Sequence, residues 1–283
     1  MPWQIYLSIS ILLISCNSLL HRSLLKDEGS SPQAQTIVFL GLGGIIAIVI
    51  ALFQHKLNLF FSPILMWNFL LLVVLLTPAY LLKYRAFQLI GASEVVMFAV
   101  TGRLWNVVGA YLFLHEALTL KIVLGAILIL IGVMLTRFEK KTFTINKGIL
   151  FVLASAVFFG FSDINDYFIL QKFDSTNYLI YSYLLPVFTL LLLQPRSLKK
   201  IRYYFRKDRA SKIILLSLFD TLGMLFLYLA YQTGKNIAVI GPLRSTSIIV
   251  TVALAILFLK ERNNITNKLI GSLVAAAGVI LLL

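Results

Sequence analysis

Apolar stretches recur along the chain at near-regular intervals, each close to the roughly 20 residues that cross a bilayer. Ten can be read, at 3–21, 36–54, 63–82, 87–114, 119–136, 148–171, 176–194, 212–232, 237–259 and 267–283. The polar connections are short, except for 195–211. No Pro/Gly/Ser-rich linker divides the chain into soluble domains. The pattern predicts an all-α integral membrane protein with ten transmembrane helices.

The ten spans are two sets of five. Gly91–Glu116 lies over Asn236–Glu261 without a gap, sharing Val107/Val252, Ala110/Ala255, Leu112-Phe113-Leu114/Leu257-Phe258-Leu259 and Glu116/Glu261. With one inserted residue the match continues through Gly125/Gly271, Gly132/Gly278, Val133/Val279 and Leu135/Leu281. Further back, aligning Lys26 with Lys172 puts Ser15-Cys16-Asn17 on Phe161-Ser162-Asp163. The expected repeats are therefore 1–141 and 142–283. An odd number of spans per repeat forces the two copies into opposite orientations, the inverted-repeat arrangement of transporters, which bind substrate between the halves near the midplane.

Composition narrows the function classes. At 60% hydrophobic and 13% charged residues, the chain lacks the polar shell of a soluble protein. The net charge of +14 lies between apolar runs, where cations anchor a membrane protein, and no soluble basic domain exists to bind nucleic acid. The single cysteine, Cys16, excludes an intramolecular disulfide. Leu13-Ile14-Ser15-Cys16 looks like a lipoprotein cleavage box, but the preceding residues carry no Lys or Arg, so 1–20 is read as a retained span. His21, His55 and His115 are scattered, and no metal or cofactor is expected. Gly41-Leu42-Gly43-Gly44 is no phosphate loop, since no Lys-Ser/Thr follows; small residues there permit close helix packing. No catalytic cluster is visible, so an integral-membrane enzyme is disfavoured.

Each half ends in a helix closed by Leu-x-Glu, a short loop, and a helix with glycines seven apart: Leu114-His115-Glu116 with Gly125 and Gly132, then Leu259-Lys260-Glu261 with Gly271 and Gly278. With Gly241-Pro242-Leu243 at the start of the ninth span, this resembles the EamA domains of the drug/metabolite transporter superfamily over nearly the whole chain. The Trp-Gly pair common in the first helix of such repeats is absent. The resemblance implies a secondary transporter, exporter or exchanger, of small polar metabolites, working by alternating access in a bacterial cytoplasmic (inner) membrane. A homodimer is an open option. The competing reading is a non-transporting scaffold or accessory subunit for lipid-linked substrates, which would use intramembrane charges as structural pairs.

Orientation follows from the cations. Loops after spans 1, 3, 5, 7 and 9 hold nineteen Lys and Arg, those after the even-numbered spans four. The positive-inside rule places the nineteen in the cytoplasm and both termini outside, whereas the resemblance implies both termini inside. The basic stretch 196–212, with Tyr203, Tyr204 and Phe205 among its cations, is either a cytoplasmic anchor or an in-plane segment for anionic lipid.

Charges inside a bilayer are costly and usually face a cavity or a partner. Arg103 and Arg244 are candidates to hold a substrate's carboxylate or phosphate, with Asn17, Trp105, Asn106 and Tyr228 as uncharged companions. Asp163, Asp220, Asp166 and Glu94 are candidates to carry a proton or hold an amine. Ser155, Phe159, Ser162, Asp163, Asp166 and Tyr167 share a helical face, as do Ser217, Asp220, Thr221, Met224 and Tyr228. Arg103 shares a face with Asn106. For both arginines, cavity lining and structural pairing with an acid stand side by side. Asp166 is read as near the membrane surface, His115 as a solvated interfacial residue, and Glu116 and Glu261 as structural helix ends. Four acids and two bases within the spans point to a zwitterionic, amino-acid-like solute.

Overall fold

The computed structural model describes residues 2–25, 31–58, 63–90, 95, 98–137, 146–234, 236–259 and 265–282, and every regular element among them is helical. In order they are α1 Trp3–Leu25, α2 Pro32–Phe53, α3 Met66–Leu89 (after a 3-10 turn Pro63–Leu65), α4 Gly102–Leu114, α5 Leu120–Arg137, α6 Lys147–Leu170, α7 Ser175–Leu193, α8 Leu198–Ile201 (after a 3-10 turn Pro195–Ser197), α9 Lys207–Gly234, α10 Ile237–Arg244, α11 Ser247–Leu259 and α12 Ile265–Leu282. Segments Gln33–Phe53, Pro63–Leu89, Lys147–Leu170, Ser175–Leu193 and Arg209–Gly234 are long and apolar enough to cross a membrane. The shorter apolar helices Trp3–Asn17, Leu120–Leu135, Ile237–Thr251 and Leu269–Leu282, together with α4, are compatible with a ten-span, two-repeat membrane fold.

Two spans depart from the expectation of continuous helices. Span 3 runs on to Leu89, and the following span is interrupted at Val100-Thr101 before α4 begins. Span 9 is divided into α10 and α11 at Ser245-Thr246. These are corresponding positions of the repeat. The cause is local in both. Thr101 Oγ1 donates to Phe98 O at 2.6 Å and Thr246 Oγ1 to Leu243 O at 2.8 Å. The same carbonyls accept from the Thr101 and Thr246 backbone N–H groups at 3.1 and 3.0 Å. A side chain that takes an i−3 carbonyl tightens the turn and competes with the α-helical ladder. In α10, Pro242 also lacks an N–H to donate.

The described fold forms two compact units, each drawing chain from both halves of the sequence. The first comprises Met1–Thr77 and Asn165–Thr233. Here Ser10 Oγ on α1 donates to Gly223 O on α9 at 2.7 Å, and Gly223 lets α9 approach Leu13 and Ile14. On α2, a Cβ added at Gly44 would lie 2.3 Å from Leu184 Cδ2 of α7, and one at Gly43 2.8 Å from the Tyr183 ring. The glycine-rich run therefore serves close packing of α2 on α7. Asp174 starts α7, its carboxylate accepting from Thr176 N and Asn177 N at 3.0 and 2.9 Å.

The second unit comprises Pro78–Ile164 and Gly234–Leu283. Its best-defined pairing is α5 on α12. A Cβ at Gly278 would lie 2.7 Å from Gly125 O, and one at Gly132 would lie 2.5 Å from Gly271 O and 2.4 Å from Ala275 N. Gly125 and Gly271 are repeat equivalents, as are Gly132 and Gly278. Exchanging the two helices thus turns one close approach into the other, as in any self-complementary twofold contact. Elsewhere in the unit, Ser155 Oγ on α6 donates to Ala79 O of α3 at 2.8 Å.

Candidate functional site

In the second unit, Asp163 on α6 collects three polar side chains. Arg103 stands in the first turn of α4, just after one helix break, and its Nη1 pairs with Asp163 Oδ2. Asn106, one turn on, donates from Nδ2 to the same oxygen at 3.1 Å. Arg244 is the last residue of α10, just before the other break, and its Nη1 lies 3.5 Å from Asp163 Oδ1. The breaks therefore place two guanidiniums from corresponding spans, on opposite sides of corresponding turns, against one carboxylate. The side chains of Arg103, Arg244 and Asp163 remain 24%, 13% and 13% exposed.

The surroundings hold this arrangement closely. Asn106 is fully buried. A Cβ on Gly241 of α10 would lie 2.9 Å from its Nδ2, and one on Gly160 of α6 would lie 3.4 Å from its Oδ1. Trp105 packs at Gly160 and tilts over Phe161 at 5.8 Å between ring centroids. Asn106 Oδ1, Ser162 Oγ and Ser245 Oγ are buried without a hydrogen-bond partner among the described residues. A buried polar atom in that condition costs about 1–3 kcal/mol.

Two more of the candidate carboxylates lie in the first unit. Asp220 on α9 accepts from Asn17 Nδ2 on α1 at 2.6 Å and from Tyr183 OH on α7 at 2.5 Å. Asn17 is buried, and its Oδ1 has no partner among the described residues. Asp166 accepts from Tyr178 OH at 2.5 Å and is only 5% exposed. It is thus covered by protein, whatever its depth along the span. Tyr228 is buried with its ring 5.1 Å from that of Tyr178, so it supports a packed aromatic pair. Glu94 and Glu261 lie outside the described residues.

The structure brings Arg103, Asn106, Asp163 and Arg244 together with Trp105 beside them, and separately joins Asn17 to Asp220. Tyr178 and Tyr183, each the partner of a carboxylate, were not singled out by the sequence reading. Their only signal was phenols in an otherwise aliphatic stretch, YLIYSYLL, where a tyrosine reads first as packing.

Glu116 ends its repeat helix as a cross-helix cap. His115 takes a left-handed conformation with φ 54°, and Glu116 N closes back on Ala110 O at 3.2 Å. The Glu116 carboxylate accepts from the Ile237 and Ala238 N–H groups, both at 3.0 Å, at the start of α10. Burial raises its pKa above the usual 4.5, while these two N–H groups pull it down. Because the folded value lies above the unfolded one, its contribution to stability is full below about 4.5 and is lost as pH rises through the raised value. Glu116→Ala is expected to cost about 0.5–2 kcal/mol, the usual cost of losing a cap. Melting curves across pH should show the wild-type advantage shrinking as pH rises; an advantage that grows would contradict this account.

The family model described as the EamA-like transporter family matches residues 1–138 and 146–283. A solved structure described only as the crystal structure of a protein superposes with a TM-score of 0.80 at 16% identity, covering 99% of this chain and 95% of that one. That likeness is one of fold. No curated protein matches the chain.

Proposed function

The chain belongs to the EamA-like transporter family and is a multi-pass membrane transporter; from that premise we propose that it is a secondary transporter, exporter or exchanger, of small polar, amino-acid-like metabolites, working by alternating access in a bacterial cytoplasmic membrane. The observation that carries this reading is the convergence of Arg103 and Arg244 on Asp163. Guanidinium suits a planar carboxylate by paired hydrogen bonds, and a place that holds the protein's own carboxylate has the chemistry to hold a solute's. Asn106, which touches Asp163, has an Oδ1 without a partner among the described residues, an acceptor suited to an amine. Asn106 itself, buried between glycines, acts as the residue that positions Asp163. The nineteen cations of the odd-numbered loops are assigned to the cytoplasm.

The Arg–Asp pairing also favours a second reading, in which these charges lock helices without touching a solute. Reconstituting the purified chain into vesicles and measuring uptake across a panel of amino acids and related zwitterions separates the two. Saturable counterflow of a zwitterion, weakened in Arg103→Lys and Arg244→Lys, supports transport through this site. Unchanged affinity in both variants removes the arginines from it.

Asp220 is assigned the proton, on the strength of its intramembrane position and its two neutral donors. Asp220→Asn keeps the shape and removes the titrating group. It is expected to abolish uptake driven by a pH gradient while leaving counterflow within about twofold of wild type, since exchange needs no net proton movement. Normal gradient-driven uptake in this variant would take Asp220 out of the coupling mechanism.

A further inference from the structure

The segment joining α7 to α9 is built, not slack. Pro195–Ser197 is a 3-10 turn and Leu198–Ile201 a short helix. Ser197 and Tyr204 turn inward and are buried. The Tyr204 hydroxyl accepts from Ser31 N at 2.8 Å and donates to Ser31 O at 2.9 Å, and Ser31 caps the start of α2. One phenol thus clamps both backbone groups of one residue and ties the segment to another helix. The Arg209 guanidinium lies 4.0 Å from the centre of the Tyr203 ring, and Tyr203 packs edge-on against Tyr204 at 5.1 Å.

The outer side of this strap has a definite chemistry. Arg196, Lys199, Lys200, Arg202, Arg206 and Lys212 are all exposed. Between them Leu198 and Phe205 are 52% and 51% exposed. The strap joins two membrane-crossing segments, Ser175–Leu193 and Arg209–Gly234, so its ends are fixed at the level where hydrocarbon gives way to headgroups. Leu192 and Leu193, where α7 ends, are 80% and 61% exposed, which suits contact with acyl chains. Cations interleaved with outward apolar side chains at that depth match a surface of anionic phosphodiester headgroups above acyl chains. The clamp also suits a surface that binds lipid, because ordering its cations beforehand removes part of the entropic cost of binding.

We propose that the strap 195–212 is a preorganised site for anionic phospholipid headgroups of the surrounding bilayer, held in binding geometry by the Tyr204–Ser31 clamp. This goes beyond the transport reading and stands without it. The test uses the full chain purified in neutral detergent. Binding of short-chain phosphatidylglycerol and phosphatidylcholine is compared at equal ionic strength by mass measurement of the intact complexes, with inorganic phosphate as competitor. Wild type is expected to prefer phosphatidylglycerol. Lys199→Gln, Lys200→Gln and Arg202→Gln combined are expected to weaken that preference by about fivefold for each cation removed. Lys199→Arg with Lys200→Arg is expected to keep it. Tyr204→Phe leaves every cation in place but removes the hydroxyl, and is expected to weaken the preference by several-fold while the chain still elutes as a folded species. Equal binding of the two lipids, full preference in the triple variant, or displacement by inorganic phosphate as effective as by phosphatidylglycerol would overturn the site. Full preference in Tyr204→Phe would overturn the clamp.

Discussion

Asp163→Ala is expected to lower stability by about 3 kcal/mol, the lower end of the range for breaking a buried ion pair. The lower end applies because Arg103 and Asp163 keep 24% and 13% of their side-chain surface exposed. The substitution takes away the carboxylate against which Arg103, Asn106 and Arg244 are arranged, and leaves two cations at a depth where charge is expensive. Two predictions then separate structure from function. If the pairing is structural, Asp163→Ala combined with Arg103→Ala recovers part of the loss, and the cycle shows a coupling energy of about 0.5–3 kcal/mol. If the arginines also grip a substrate carboxylate, Arg103→Lys weakens substrate affinity by a few-fold to about a hundredfold while changing the melting temperature little. Denaturation and binding measured on five proteins, wild type, Asp163→Ala, Arg103→Ala, the double variant and Arg103→Lys, decide the matter. Strictly additive stability losses would sink the structural pairing, and unaltered affinity in the lysine variant would sink the substrate contact.

Gly132→Val is expected to prevent correct folding or to leave only a small folded fraction after extraction. A Cβ at this position would lie 2.4 Å from Ala275 N and 2.5 Å from Gly271 O, both backbone atoms of α12. A flexible side-chain tip could move aside, but a helix backbone can do so only by shifting the whole helix. Overpacking a well-fitted core usually costs about 1–3 kcal/mol, occasionally more; here two branched methyls follow the first clash. Gly41→Val is the matched control, since a Cβ at Gly41 meets nothing within 4 Å, and it should fold normally. Comparing the monodisperse yield of the two variants checks the prediction. Equal recovery would mean that α5 and α12 do not depend on bare backbone contact.

Much of this was legible before any coordinates. Hydrophobic runs of bilayer length gave the spans, because in lipid a helix must satisfy its own backbone and so needs length and apolarity above all. The one-residue gap in the repeat alignment put Gly125 with Gly271 and Gly132 with Gly278, and these four glycines meet where α5 crosses α12. The shared face of Arg103 and Asn106 proved right in detail, since both reach Asp163 Oδ2. The two helix breaks were hidden because Val100-Thr101 and Ser245-Thr246 are ordinary in composition. A threonine in a span either bonds back along its own helix or tightens the turn, and the sequence does not distinguish these outcomes. The pairing of Arg103 with Asp163 was hidden for a different reason, since the two lie 60 residues apart on helices whose rotation about their axes is set by packing. The cover of Asp166 by Tyr178 was hidden in the same way, because a place near a span's end fixes depth and says nothing of which neighbour packs against the side chain.

The divided ninth span bears on how the protein is made. The 8 residues of α10 and the 13 of α11 measure about 12 and 20 Å at 1.5 Å per residue, each short of a hydrocarbon core about 30 Å thick. Neither piece can be delivered to the bilayer as a unit. The insertion machinery must accept 237–259 as one continuous hydrophobic segment, with Arg244 inside it at a cost of about 2.5–3.5 kcal/mol. The apolar run Ile248–Leu259, with Thr251 its one hydroxyl, offsets that cost. Asp163 has by then left the ribosome 81 residues earlier, and the Arg244 side chain can meet it only after both helices are in lipid. The break at Ser245-Thr246, whose cause is local, can form with the segment itself; what must come late in biogenesis is the pairing of Arg244 with its carboxylate.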